Sequence, residues 1–588
     1  MKYFPLLIVS FFVPFGPDIV KLAPSILIED SFGIIMFFLP TYFMTHRIIL
    51  LLLLIPFFKF SQNTLGTLSV TTDVYDGYTL FSTHQKAYLI NNCGQVINSW
   101  TSDYTPGNAV YLLPNGNLLR TGKLEIGTNP VNIPGSGGII ELFDWDGNVI
   151  WSWIDSSNTS RQHHDIYPMP NGNILILAAT VLTDTEAIEA GRNPSLINNG
   201  ELYNERIYEI EPSGVGGLAS NYDGDIVWEW NIKDHLIQDF DDTKNNFGVV
   251  ADNPGKLNIN FLNGWSADNN WLHINSIQYD VEFDQIVISS RRMSEIWIID
   301  HNTSTFEAKG RSGDFLYRWG NPQAYNQGVE ADRKLHGQHT PYYIPSGYPN
   351  ERKIMIFNNG LDRTPLYSES LIITPPVDSN GNYNYTPNTA FGPTEPFYKY
   401  PENTPLTDSE FYSAIVSSSR QLPNGNILIC EGREGYFFEI DNNNNIVWEY
   451  ITPISNADGT IYDQGDSVPP NSLTFRATKY SKNYAAFNDK NLNPGEPIEN
   501  NSNITSCLNT LNKKNFDYSE VTIYPNPSSN FITIKCINVI DKVELFNTTG
   551  HKISEYLNTT DINISNFKSG IYFLKIYSNG EKTFKKII

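Results

Sequence analysis

Two phrases recur along the middle of the chain, and their recurrence restricts the fold more than any other feature. The first is a strand and turn: YLLPNGNLL at 111–119, YPMPNGNILIL at 167–177 and RQLPNGNILIC at 420–430. The second is a strand with large aromatics at alternating positions. It appears as GNVIWSW ending at Trp153, GDIVWEW ending at Trp230 and NNIVWEY ending at Tyr450, with a weaker copy, CGQVINSW, ending at Trp100. Asn-Gly between alternating apolar residues is the strongest short-range hairpin signal, and period-two alternation marks a strand with one buried face. Each pair of phrases therefore reads as part of a four-stranded antiparallel blade. Blades repeated about an axis make a β-propeller, which protects its sheet edges by radial repetition.

The repeats occupy residues 68–485 of 588. At roughly 40 to 45 residues per blade that span would hold more than the usual four to eight blades. The blades must carry insertions, and the stretches 183–204, 234–265 and 375–408 have loop composition. Six blades of about 70 residues fit the length. Composition agrees with an all-β fold: 13% aromatic residues supply core formers, while 41 Gly and 35 Pro supply turns and exclude a helical bundle. A net charge of −23 argues against nucleic acid and anionic membrane surfaces as partners.

Both ends change character. From Met44 the chain reads MTHRIILLLLLIPFFKFSQN: a Met, a basic residue, an apolar run over 48–58, then polar residues. This is the order of a secretory signal peptide, expected at 44–61, and the run is too short to span a bilayer. Residues 1–43 then read as an upstream extension from a start codon placed too early, and no stable membrane span is expected in the mature protein. At the other end, residues 521–588 alternate as short strands between Asn-Pro, Thr-Gly and Asn-Gly turns, which describes a small β-sandwich. Its Tyr524-Pro525-Asn526-Pro527 opening, Gly570-Ile571-Tyr572 strand and Lys585-Lys586 end resemble the C-terminal sorting domain of type IX secretion. That resemblance implies export by the type IX machinery of a Gram-negative bacterium, to the outer-membrane surface or the medium, with removal of the tail. Residues 486–516, rich in Asn, Ser and Lys, read as the linker.

In a propeller the innermost strands converge on an axial channel, so polar residues that interrupt the apolar pattern there gather at one place. Three phrases do this: Arg161-Gln162-His163-His164-Asp165, Trp271-Leu272-His273-Ile274-Asn275 and His336-Gly337-Gln338-His339-Thr340. Each is expected just before a strand. Arg291 and Arg292 interrupt a later apolar strand, and an arginine pair inside a buried strand points to an anion site. No HExxH or HxH spacing accompanies the histidines, and a nearby arginine repels a cation, so neither a metal nor another cofactor is expected.

These phrases, with GDFLYRWGNPQAY and the closing RQLPNGNILICEGREGYFFEI, resemble in order the sequence blocks of the bacterial PAPS-independent arylsulfotransferase family, over about residues 140–450. The resemblance implies a six-bladed propeller whose channel moves a sulfuryl group from a phenolic sulfate donor to a phenolic acceptor, by ping-pong kinetics through a sulfohistidine. Carried onto this chain, the nucleophile is His339, with His273, Asn275, Arg291 and a histidine of the HHD phrase around it. His164 is the choice there, with His163 and Arg292 as substrate-binding neighbours. The residue types suit the chemistry. Sulfuryl transfer, like phosphoryl transfer, has a loose transition state stabilised by positioned donors, and a neutral imidazole is a fitting nucleophile. Two other readings remain: a surface propeller binding glycans or proteins without chemistry, and a propeller lyase or hydrolase acting on an anionic polysaccharide. The four cysteines show no zinc spacing. Cys93 in the first blade and Cys430 in the last are candidates for a closing disulfide, the alternative being two buried free thiols.

Overall fold

The computed structural model describes residues 63–124, 131–213, 223–404, 411–512, 521–536, 539–578 and 581–588. The signal peptide expected at 44–61 and the extension 1–43 lie outside the described residues.

Six four-stranded antiparallel sheets follow one another along the chain, one of them extended by a fifth strand. From the innermost strand outward, the second sheet is Pro106–Leu112, Leu118–Lys123, Gly138–Phe143 and Val149–Ile154. The third is Ser160–Pro168, Ile174–Thr183, Glu201–Ser213 and Asp223–Asn231. The fourth begins with Ile274–Asp280 and Gln285–Ser290, the fifth with His339–Tyr343 and the sixth with Ser418–Gln421. Chain closure is double. Thr478–Ser481 returns to pair inside Gly77–Thr83 of the first sheet, and Gly66–Val70 pairs outside Ile446–Ile451 of the sixth. The fold is the expected β-propeller.

The aromatic phrase explains how neighbouring sheets join. Trp100 Nε1 donates to the Asp144 carbonyl at 2.9 Å, Trp153 to Tyr208 Oη at 3.2 Å and Trp230 to the Gly313 carbonyl at 2.8 Å. Trp319 donates to Pro393 at 2.7 Å, Tyr398 Oη to Asn444 at 2.7 Å and Trp448 to Asn92 at 2.8 Å. Each ring thus reaches from an outer strand to the next sheet, and the last contact returns to the first. An aromatic ring contributes a large apolar area, and its N–H or O–H needs a partner, so a tryptophan at five seams and Tyr398 at the sixth both fill and order the joins between sheets.

The cysteines depart from expectation. Cys93 pairs with Cys507, not Cys430, across 414 residues at a Cα separation of 5.7 Å. Cys93 lies in the turn before the outermost strand of its sheet, whereas Cys430 is buried within the strand Ile427–Glu431 among Phe81, Phe437 and Trp448. Closure brings strands together at different depths, so the two sulfurs do not meet. The stretch whose composition suggested a linker is anchored as far as its disulfide. Phe487 packs on Tyr78 with ring centroids 5.1 Å apart, Ile498 joins the core of Phe81 and Tyr450, and the helix Thr505–Asn512 lies against Gly66–Val70. Most of its polar residues face water while widely spaced apolar ones hold it down. Beyond it, three- and four-stranded sheets share a core of Ile532, Ile534, Val543, Leu545, Leu574 and Ile576.

Candidate functional site

The three histidine phrases meet because the innermost strands are bulged at matching depths. Pairing with the neighbouring strand slips between Ile176 and Ala178, between Ile274 and Ser276, and between His339 and Tyr342. At these slips His164, His273 and Thr340 take the left-handed conformation, with φ of 51°, 46° and 51°. Bulges re-aim side chains beside active sites, and left-handed non-glycine residues persist only where surrounding structure holds them. His163 and His164 lie inside their strand, His273 immediately precedes its strand and His339 begins one. Arg291 and Arg292 differ from expectation: their strand ends at Ser290, and both sit in the tight turn that follows, where a charge is cheaper to hold.

His164 and His273 stand edge to face with centroids 4.8 Å apart, and both are almost fully buried. The His339 Nδ1 lies 2.7 Å from Asn359 Oδ1. The Asn359 amide nitrogen is spent on the carbonyls of Ser413 (2.7 Å) and Val416 (2.9 Å), so its oxygen faces His339 and accepts the Nδ1 hydrogen. A neutral His339 then carries its lone pair on Nε2. Burial, reinforced by the Arg291 charge, brings the His339 pKa down to about 3. Burial also holds His164 and His273 well below the ordinary imidazole range, with neighbouring histidines and Arg291 acting in the same direction. Arg291 donates to the Ala414 carbonyl at 3.3 Å and makes no ion pair among the described residues.

The remaining candidates are held by the following contacts. Asn275 is fully buried and donates to the Gln338 carbonyl at 2.8 Å, so it sets the strand that carries His339. Gln338 in turn donates to Ser289 Oγ at 3.1 Å and to the Glu295 carbonyl at 2.7 Å, which ties the HIN and GQH phrases to the strands between them. Arg292 pairs with Asp268 at 2.9 Å, donates to the Asn270 carbonyl at 2.5 Å and lies over the Trp265 ring. Asn270 also contacts His273 Nδ1 at 3.0 Å, so Arg292 secures the support of that histidine. His163 meets His164 through Nδ1 at 2.9 Å and directs Nε2 to Glu205 at 2.8 Å.

Two features were not read from the sequence. A cavity of about 510 Å³ opens beside the cluster, walled by Asn108, Asn132, Gly135, Ser136 and Phe475. Phe475 lies 6.4 Å from the His339 ring, and any Cβ at Gly135 would strike the His164 imidazole. The second feature is a polar knot that touches all six innermost strands or their approaches. Arg476 pairs with Asp165 at 2.5 Å and donates to Tyr111 Oη at 2.6 Å, and Gln278 donates to the same hydroxyl at 3.0 Å. Arg420 reaches Gln278 at 3.4 Å and covers the Tyr342 ring. Burial raises the Asp165 carboxyl while Arg476 opposes that rise. Asp165 was visible inside the HHD phrase, but its partner lies 311 positions away and carries no local signal.

Residues 155–461 match the family model "Arylsulfotransferase (ASST)", and residues 522–588 match "Secretion system C-terminal sorting domain". No curated protein matches the chain. The solved structures it is similar to are distant. A protein of unknown function from Bacteroides caccae is 11% identical at a TM-score of 0.36, covering 69% of this chain and 98% of its own. A streptogramin B lyase is 13% identical at 0.29, covering 70% and 97%. The β-propeller domain of Cps50 (Swd1) from Myceliophteria thermophila is 7% identical at 0.30, covering 66% and 90%. The sorting tail indicates export to the cell surface or the medium. By the match over more than half its length, the chain belongs to the arylsulfotransferase (ASST) family.

Proposed function

We propose that this protein moves a sulfuryl group from a phenolic sulfate ester to a phenol in two half-reactions through His339. The observation that carries this reading is His339 itself. It is a buried imidazole with Nδ1 committed to Asn359, its basicity suppressed, beside an arginine that makes no ion pair among the described residues. In the first half-reaction Nε2 attacks sulfur, the N–S bond forms and the aryl O–S bond breaks. Arg291 binds the equatorial oxygens, whose charge grows in the loose transition state. The departing aryl oxide takes a proton from His164 or His273. In the second, the acceptor phenol loses its proton to the same base as its oxygen takes sulfur, and the electron pair returns to His339. Phe475 offers a face for the aryl ring. Asn275 and Arg292 act as positioning residues through Gln338 and Asn270.

The division of labour along the chain belongs to the same proposal. Residues 44–61 direct export, the propeller together with its anchored extension to about residue 512 forms the catalytic unit, and 521–588 engage the type IX machinery for release or display at the outer membrane. The decisive test is intact-mass analysis after exposure to an aryl sulfate without acceptor. Wild type should gain one labile SO₃ and His339→Ala none; turnover persisting unchanged in His339→Ala would overturn the proposal.

A further inference from the structure

The histidine pair of the third sheet is more ordered than a single acid or base requires. His163 is fully buried, with Nε2 2.8 Å from Glu205 Oε2 and Nδ1 2.9 Å from His164 Nδ1. Glu205, on the strand Glu201–Ser213, is also buried, and its second oxygen accepts the Ile274 N–H at 3.2 Å. No lysine or arginine pairs with it among the described residues. A buried carboxylate requires a shared proton or a cation, so the hydrogen between these groups lies on His163 Nε2. A neutral His163 then presents a lone pair at Nδ1, and the contact with His164 requires a hydrogen on His164 Nδ1. His164 is left with its lone pair on Nε2, the edge that lies against Gly135 in the cavity wall.

We infer that Glu205 and His163 form a relay that fixes His164 as the base for the incoming phenol and the acid for the departing one, an inference that rests on the sulfohistidine reading above. In the second half-reaction the phenol proton moves to His164 Nε2 while the acceptor O–S bond forms and the His339 N–S bond breaks. The Nδ1 hydrogen of His164 passes to His163 Nδ1, and the resulting imidazolium rests against Glu205. The protonated relay left by that step, with hydrogen on His164 Nε2 and His163 as imidazolium, then gives this proton to the departing aryl oxide of the next donor, or to solvent when that aryl oxide leaves unaided. Every other group facing His164 disfavours a positive charge there: His273 of the fourth sheet, His339 of the fifth and Arg291 of the turn after Ser290. The relay carries that charge one residue further from Arg291. Glu205 and His163 are positioning residues, since both act through His164.

Glu205→Gln tests this with little change of shape. The glutamine retains an acceptor for Ile274 N–H but donates to His163 Nε2, which moves hydrogen to His163 Nδ1 and forces His164 to carry its own on Nε2, so the base is lost. With 4-nitrophenyl sulfate, whose leaving group needs no proton, adduct formation should stay near the wild-type rate. Transfer from the preformed adduct to phenol should fall by about 100-fold or more, and less for an acidic acceptor such as 4-nitrophenol. Glu205→Asp should recover part of the loss. A second measurement needs no variant: wild-type transfer to phenol should be nearly constant between about pH 7 and 9, whereas transfer without a base rises about tenfold per unit with phenol ionisation. Adduct formation in both proteins with undiminished transfer by Glu205→Gln, or a tenfold-per-unit wild-type profile, overturns the relay alone. Absence of any adduct on wild type overturns the sulfohistidine reading and the relay with it.

Discussion

An imidazole held at a pKa of about 3 makes a distinctive pH prediction for the first half-reaction. An ordinary histidine titrates near 6.5, so at pH 5 it would be about 97% protonated and unable to attack, whereas His339 would be only about 1% protonated. With an activated aryl sulfate, whose aryl oxide leaves unaided, the burst of released phenol should therefore be flat from about pH 8 to about pH 5. Asn359→Asp sharpens the test. It sets a carboxylate where Oδ1 now lies, 2.7 Å from His339 Nδ1, and an opposite charge at that distance raises an imidazole pKa by about 1 to 3 units. The acid limb should move upward by that amount. Asn359→Leu leaves the buried Nδ1–H without a partner, a loss of about 1 to 3 kcal/mol, or about 5- to 150-fold in burst rate. Rapid-quench measurement of released phenol against pH, with stability checked at each pH, reads all three proteins. A wild-type burst that halves near pH 6.5 would refute the argument that burial and Arg291 keep His339 neutral.

The Cys93–Cys507 disulfide closes a loop spanning 414 positions, and the chain-entropy relation assigns it about 6 kcal/mol, an upper bound because strain and residual structure subtract from it. Cys507→Ser should lower Tm by several degrees while Cys430→Ser shifts it less, and peptide mapping without reduction should recover a 93–507 cross-link; two free thiols there would exclude the pairing. Deleting the chain after about residue 515 should leave a soluble, active propeller, whereas truncation after Ala485 removes Phe487, Ile498 and Cys507 from their cores and should yield an unstable protein, both read by thermal melting and burst assay. Acid should unfold the propeller early. His164, His273, His336 and His339 have folded pKa values below the ordinary 6.5, so their contribution is complete above about pH 6.5 and is lost as pH falls toward their folded values. His301, raised by Glu209 and Asp284 despite its burial, works in the opposite sense, losing its contribution as pH rises through its folded pKa. Four groups outweigh one, so Tm should drop between about pH 6.5 and 4, and a Tm that rises over that interval would contradict the assignment.

Much of this protein was written in local patterns. Asn-Gly turns and alternating aromatics are properties of a few consecutive residues, so the hairpins, the repeated sheets and the strand-rich tail could be read directly. The HHD, HIN and GQH phrases were legible for the same reason: polar residues stand out against an apolar strand. The identity of partners across the axis was not. Asp165 meets Arg476, Cys93 meets Cys507, and His339 is oriented by Asn359, whose own place depends on the carbonyls of Ser413 and Val416. The sequence favoured His164 without excluding His163; only a carboxylate 42 positions away, brought alongside by strand pairing, turns His163 toward Glu205 and leaves His164 against Gly135 of the cavity wall. Period and turn chemistry act over a few residues, whereas charge pairing, tautomer choice and disulfide partner depend on distances that exist only once the ring of sheets has closed.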